Sequence, residues 1–94
     1  MEDYKVNICG VPYKVYHKED AFGADTVHFG EIRYKESEIY ISKGMSEELV
    51  KQTLFHEMLH GIFFGIGRND LCNDEVLVQS LAQAMTGTFE VIKS

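Results

Sequence analysis

The apolar residues change period once along the chain, and that change limits the fold more than any other feature. Before Gly44 they recur at every second position. Tyr4, Val6 and Ile8 alternate with Lys5, Asn7 and Cys9; Tyr13 and Val15 alternate with Lys14 and Tyr16. Ile32 and Tyr34 alternate with Glu31 and Arg33 in a third segment around Phe29 to Tyr34, and Ile39 and Ile41 alternate with Glu38, Tyr40 and Ser42 in a fourth. A period of two marks a half-buried strand. Gly10 and Pro12 predict the turn between the first two strands. Lys18 to Asp25 reads as a loop around Gly23, and Lys35 to Ser37 as a hairpin connection. After Gly44 the spacing becomes helical, through Leu49, Val50, Thr53, Leu54, Met58, Leu59, Ile62 and Phe63. Ser46 is suited to the N-cap, with Glu47 and Glu48 at the positive end of the helix dipole. Gly65 and Gly67 are stop signals. Arg68 to Cys72 reads as a short loop. Asn73 or Asp74 can then cap a second helix, striped by Leu77, Leu81, Met85, Phe89 and Ile92. Strands followed by helices predict an α+β fold: an antiparallel sheet of three to four strands, with the helices packed on one face.

The 94 residues fit one domain spanning 1–94 and leave no room for a second lobe. Acidic residues outnumber basic ones 15 to 9, for a net charge of −6. A chain with no basic block is a poor binder of phosphate backbones, so no nucleic-acid partner is expected. No stretch approaches the roughly 18 apolar residues of a membrane span. The acidic, alternating start resembles neither a secretion signal nor a transit peptide. Cys9 and Cys72 form no disulfide framework by number or spacing. Together these features predict a cytoplasmic chain with reduced thiols.

One segment of the first helix carries chemistry. His56-Glu57-Met58-Leu59-His60 reads HExxH. Residues four apart share a helix face, so both imidazoles can reach one point beside it. Zn²⁺ requires such convergence, with Zn–N distances of about 2.0–2.1 Å. Glu57 borders the same face and is too close in sequence to be a comfortable ligand. It is placed to take a proton from a metal-bound water. With 4 histidines in the chain, chance produces this pattern in roughly 2% of such sequences, so coincidence is the weaker explanation.

A catalytic zinc site needs a third protein ligand and an open position. His17 and His28 lie in the strand half. Glu75 is the favoured ligand: the helix continues about 9–10 Å past His60 at 1.5 Å per residue, and residues 67–73 suffice to return that distance. Glu75 would then open an antiparallel second helix. Adjacent Asp74 and the thiol of Cys72 remain alternatives.

The segment TLFHEMLHGIFFGIGRNDLCNDEVLVQSLAQAM resembles compact zinc metallopeptidase domains of the ImmA/IrrE type, gluzincin-like zincins, especially small phage and prophage versions. In that family a Glu opening the later helix is followed by two residues, Ala-Asn, one residue and Phe-Ala. Glu75 and Ala82 match this pattern, while Val78, Gln79 and Leu81 depart from it. GEIRY before EIYIS is similar to the family's sheet, and the resemblance covers about residues 1–92. It implies a zincin-like fold, peptide-bond hydrolysis, a peptide or protein substrate, and a host-cell interior if the chain is phage-encoded.

The expected function is therefore a zinc endopeptidase, with His56, His60 and Glu75 as ligands and Glu57 as general base. The alternative is a phage-type zinc-binding protein that docks to a host protein without cleavage. Candidate oxyanion donors are Tyr34, Tyr40 and His28; the two tyrosines read more readily as packing residues. Phe63 and Phe64 read as core rather than pocket lining. The strand Glu38 to Ser42 is a candidate edge on which an extended substrate could add as another strand. Oligomeric state is not legible.

Overall fold

A computed structural model describes residues 2–19 and 29–89. In chain order the elements are β1 (Tyr4–Ile8), β2 (Val11–Lys18), β3 (Gly30–Arg33), β4 (Glu38–Ser42), α1 (Glu47–Gly65), α2 (Asn69–Cys72) and α3 (Glu75–Thr88). The α+β order is as the pattern predicts. Ile92, His28 and most of the expected loop through Gly23 lie outside the described residues.

The first hairpin is tighter than expected. Ile8 pairs with Val11, leaving a two-residue loop of Cys9 (φ 51°) and Gly10 (φ 81°). Two positive φ angles are the signature of the turn that matches strand twist. Pro12 is not part of this turn but lies in β2, opposite Asn7. It is tolerated there because pairing with the neighbour on the other side begins only at Lys14, so no ladder hydrogen bond is lost.

The sheet order is β1-β2-β4-β3. β1–β2 and β3–β4 are antiparallel, but β2–β4 is parallel, with Val15 beside Ile39 and Tyr16 beside Tyr40. The sheet is therefore mixed, which corrects the antiparallel expectation. Alternation reports which face of a strand is buried and says nothing about its neighbour's direction. Burial supplies the reason for the insertion: Ile39, Ile41 and Val15 are fully buried, so β4 belongs at the centre rather than at an edge. On its other face Tyr40 stacks on Tyr16, with ring centroids 5.1 Å apart, and lies under the Arg33 guanidinium at 4.3 Å.

Helix α1 packs between two apolar clusters. Val50, Leu54, Met58 and Ile62 meet the sheet cluster of Ile8, Tyr13, Val15, Ile39 and Ile41. Leu59, Phe63 and Phe55 meet α3 through Val78 and Ala82. Gly61 sets the approach to the sheet: a Cβ there would stand 3.0 Å from Ile8 and 3.1 Å from Ile32. The Ser46 side chain accepts from the Leu49 amide at 3.2 Å, as the N-cap expectation requires. At the other end the Arg68 amide donates to Phe63 O and the Gly67 amide to Phe64 O, with Gly67 at φ 76°, a Schellman stop. Phe63 is core as expected; Phe64 is half-exposed and stacks on Tyr34 at 4.2 Å.

Two further expectations are revised. Residues 69–72 form a one-turn helix rather than a loop. In α3 the fully inward residues are Val78, Ala82 and Thr86, one position past the expected stripe. Small side chains let α3 approach α1 closely, and Leu77, Leu81 and Met85 flank the contact. α3 thus stacks on α1 and not on the sheet. Among the described residues no helix is long and apolar enough to cross a membrane.

Burial ranks the cost of truncation. In the presence of chelator, Ile39→Ala is expected to lower unfolding free energy by about 2–5 kcal/mol, measured by urea denaturation. Truncation of half-exposed Phe64 is expected to cost clearly less. Equal costs would mean that β4 is not the centre of the core.

Candidate metal centre

His56 and His60 project from successive turns of α1, and Glu75 is the first residue of α3. The short helix α2 reverses the chain between them, which brings the sequence-distant carboxylate back to the histidines. Their approach is close on all three sides. The two Nε2 atoms are 3.3 Å apart. Glu75 Oε2 lies 3.3 Å from His56 Nε2, and Glu75 Oε1 lies 3.2 Å from His60 Nε2. A tetrahedral shell with bonds of about 2.0–2.1 Å has ligand–ligand edges of about 3.3–3.4 Å. The Nε2–Nε2 spacing therefore matches one edge of a zinc coordination sphere, and the Glu75 carboxylate reaches the two histidines at the same range through its two oxygens. Two imidazoles and a carboxylate also suit this ion chemically. Among the described residues this is the one His/Cys/Asp/Glu group close enough to hold a metal ion. The Glu75 side chain is 67% exposed, so the group opens toward solvent.

The two alternative third ligands have other roles. Asp74 is the N-cap of α3, its carboxylate accepting from the Leu77 amide at 3.1 Å. The Cys72 sulfur lies 3.7 Å from Nδ1 of His60, the nitrogen that does not face Glu75. Behind His56 stands Gln79, whose Oε1 is 2.8 Å from Nδ1. With Nδ1 donating to this oxygen, the Nε2 lone pair is directed at the Glu75 side, an arrangement typical of metal-binding histidines. The sequence reading registered Gln79 only as a departure from a family pattern. The signal was its spacing: residue 79 lies one helical turn after Glu75, on the same face of α3.

Glu57 is 7% exposed and faces β3. A Cβ placed on Gly30 would meet Glu57 Cγ and Oε2 at 3.2 Å and Thr53 Cγ2 at 2.7 Å. Only a residue without a side chain lets β3 lie this close to the carboxylate. Burial pushes the Glu57 carboxyl up from an ordinary 4.5 to about 7, and the nearby carboxylates of Glu75 and Glu31 add to the effect. A general base poised near neutrality is what proton transfer at neutral pH requires.

Of the expected oxyanion donors, His28 lies outside the described residues, and the two tyrosine hydroxyls are engaged elsewhere. The Tyr40 hydroxyl donates to Glu38 at 2.9 Å, on the sheet face away from α1. The Tyr34 hydroxyl meets Cys72 Sγ at 3.4 Å, behind His60. The docking strand is also corrected. β4 is central, with partners on both sides, so it has no free edge; β3 is the edge strand beside α1. Comparison with protein-family models, with curated proteins and with solved structures finds no match.

Glu57 makes the metal-free protein pH-sensitive. Its carboxyl binds a proton more tightly in the folded chain than in the unfolded one. Stability is therefore fully present below about pH 4.5 and falls as pH rises through about 7. The loss is on the order of 3 kcal/mol. Glu57→Gln is expected to flatten that part of the profile in urea titrations with chelator. A wild-type profile parallel to the variant's would show that Glu57 ionises normally.

Proposed function

We propose that the chain is a zinc-dependent endopeptidase of compact zincin type, as its resemblance to ImmA/IrrE-type domains implies. One observation carries the reading: the two Nε2 atoms of His56 and His60 stand 3.3 Å apart, each within 3.2–3.3 Å of an oxygen of the Glu75 carboxylate, and the buried acid Glu57 adjoins His56. Zinc held by His56, His60 and Glu75 would supply a Lewis acid for activating a water and polarising a carbonyl. Glu57 takes the water proton at its carboxylate and returns it to the leaving amine. Gln79 keeps His56 oriented through Nδ1. The exposed side of Glu75 leaves the approach to the centre open to a polypeptide.

The edge of β3 gives such a polypeptide a place to lie. β3 is hydrogen-bonded to β4 along one side, so its other side can accept an extended peptide as an added strand. Gly30 places that edge against Glu57. A scissile carbonyl carried along β3 would reach the region between Glu57 and the histidines. Hydrolysis, rather than zinc storage, is supported by the position of Glu57, a buried carboxyl next to His56 and against the β3 edge.

Purified protein, stripped with chelator and reloaded, is expected to hold one zinc per chain. His56→Ala/His60→Ala should hold none, and Glu75→Ala should bind more weakly. Glu57→Gln is expected to keep the zinc and lose at least about 100-fold in cleavage of a fluorogenic peptide library. Wild-type zinc content no higher than that of the double-His variant would sink the metal assignment. Full zinc with no cleavage by wild type would favour the non-cleaving interaction protein instead.

A further inference from the structure

Cys72 is a buried thiol that the reading above does not use. It ends α2 at 9% exposure, and three polar groups converge on its sulfur. His60 Nδ1 lies at 3.7 Å, the His60 carbonyl oxygen at 3.5 Å, and the Tyr34 hydroxyl at 3.4 Å. One assignment satisfies all of them. The thiol proton goes to the His60 carbonyl, and the sulfur accepts from Nδ1–H and from the tyrosine hydroxyl. Tyr34 is itself held by its stack on Phe64.

We propose that Cys72 is the positioning residue for His60: its sulfur accepts the Nδ1–H and thereby aims Nε2 at the metal. The inference rests on the metal-centre reading and extends it to the second histidine. His56 has an amide oxygen for this purpose, at 2.8 Å. Among the described residues, the sulfur is what faces the corresponding nitrogen of His60. Acceptors at this position fix the tautomer and ring orientation of a metal-binding histidine, and their loss typically weakens metal binding about 10–100-fold. The competing explanation is that Cys72 is a small apolar filler among Leu59, Phe63, Val78 and Ala82.

Comparison of C72A with C72S separates the two explanations, because the variants remove similar volume and only serine retains an acceptor. Zinc affinity is read by competition with a chromophoric chelator, and folding by urea unfolding of the metal-free proteins. C72A is expected to bind zinc about 10–100-fold more weakly than wild type, with C72S recovering most of the loss. C72A binding as tightly as wild type, or C72S as weakly as C72A, would overturn the proposal. If a variant fails to fold, ¹⁵N-imidazole NMR of the zinc-loaded wild type decides it. The His60 proton should sit on Nδ1 and exchange slowly with solvent; a proton on Nε2, or rapid exchange at Nδ1, would overturn it. Wild type that binds no zinc would remove the metal centre itself, whereas stoichiometric zinc with an indifferent C72A removes only the role of Cys72.

Discussion

Helix α1 lies between the sheet and α3, so its buried polar residues sit in the seam where those two layers meet. Val50, Leu54, Met58 and Ile62 are committed to the sheet, and Phe55, Leu59 and Phe63 to α3. Helical phase leaves one arc, running from His56 through His60 and Thr53 to Glu57. That arc is bounded by α3 on the histidine side and by β3 on the Glu57 side. Three of its four residues are buried although polar, and burying polar groups is tolerated only when they are matched. Glu75 and Gln79 of α3 match the histidines, and on the other wall Gly30 of β3 leaves the room that the Glu57 carboxylate occupies. The first turn of α3 has to start where it does, because a helix beginning later would leave the histidines facing solvent without a carboxylate.

Much of this was legible in the sequence, for identifiable reasons. The change of period at Gly44, Ser46 as a cap and the glycine stops are local signals, and local backbone physics decides them. The i,i+4 histidines are equally local. Chain-length arithmetic across residues 67–73 brings Glu75 back toward the histidines, and the fold places it beside them, because a helical hairpin has few ways to close. What stayed hidden was non-local. Nothing in Ile39 or Ile41 states which strand lies on each side of β4, so the parallel β2–β4 pairing and the edge role of β3 became visible only in the fold. Pro12 misled because proline signals a turn unless the missing neighbour on one side excuses it. Gln79 and Cys72 were hidden for a related reason: a side chain that orients a ligand has no fixed spacing in sequence, only a position in space.

The electrostatics of the seam favour a cation. Glu75 and Glu31 both lie close enough to Glu57 to raise its carboxyl. Arg33 is engaged with Glu31 at 2.8 Å and stacks over Tyr40 on the opposite face of the sheet. Like charges held together in a partly desolvated site are unfavourable unless a proton or a metal ion relieves them. A divalent ion among the histidines and Glu75 would do so, and would reverse the upward pull on Glu57. A proton on Glu57 and a cation among the histidines and Glu75 would thus be two ways of relieving one excess of negative charge.

The same excess explains the chemistry of the groups behind the histidines. A carboxylate at Nδ1 is a common orienting partner for a metal-binding imidazole. Here both partners are neutral, an amide oxygen for His56 and a sulfur for His60. A carboxylate at either place would bring a fourth acid toward Glu57, Glu75 and Glu31, and would raise the Glu57 carboxyl further. At Cys72 it would also enter the apolar cluster around Phe63 and Val78, where an unpaired charge is costly. Neutral acceptors orient the rings without adding charge beside Glu75. On this argument the thiol at position 72 is suited to its place by what it lacks, a full negative charge, as much as by the hydrogen bond it accepts.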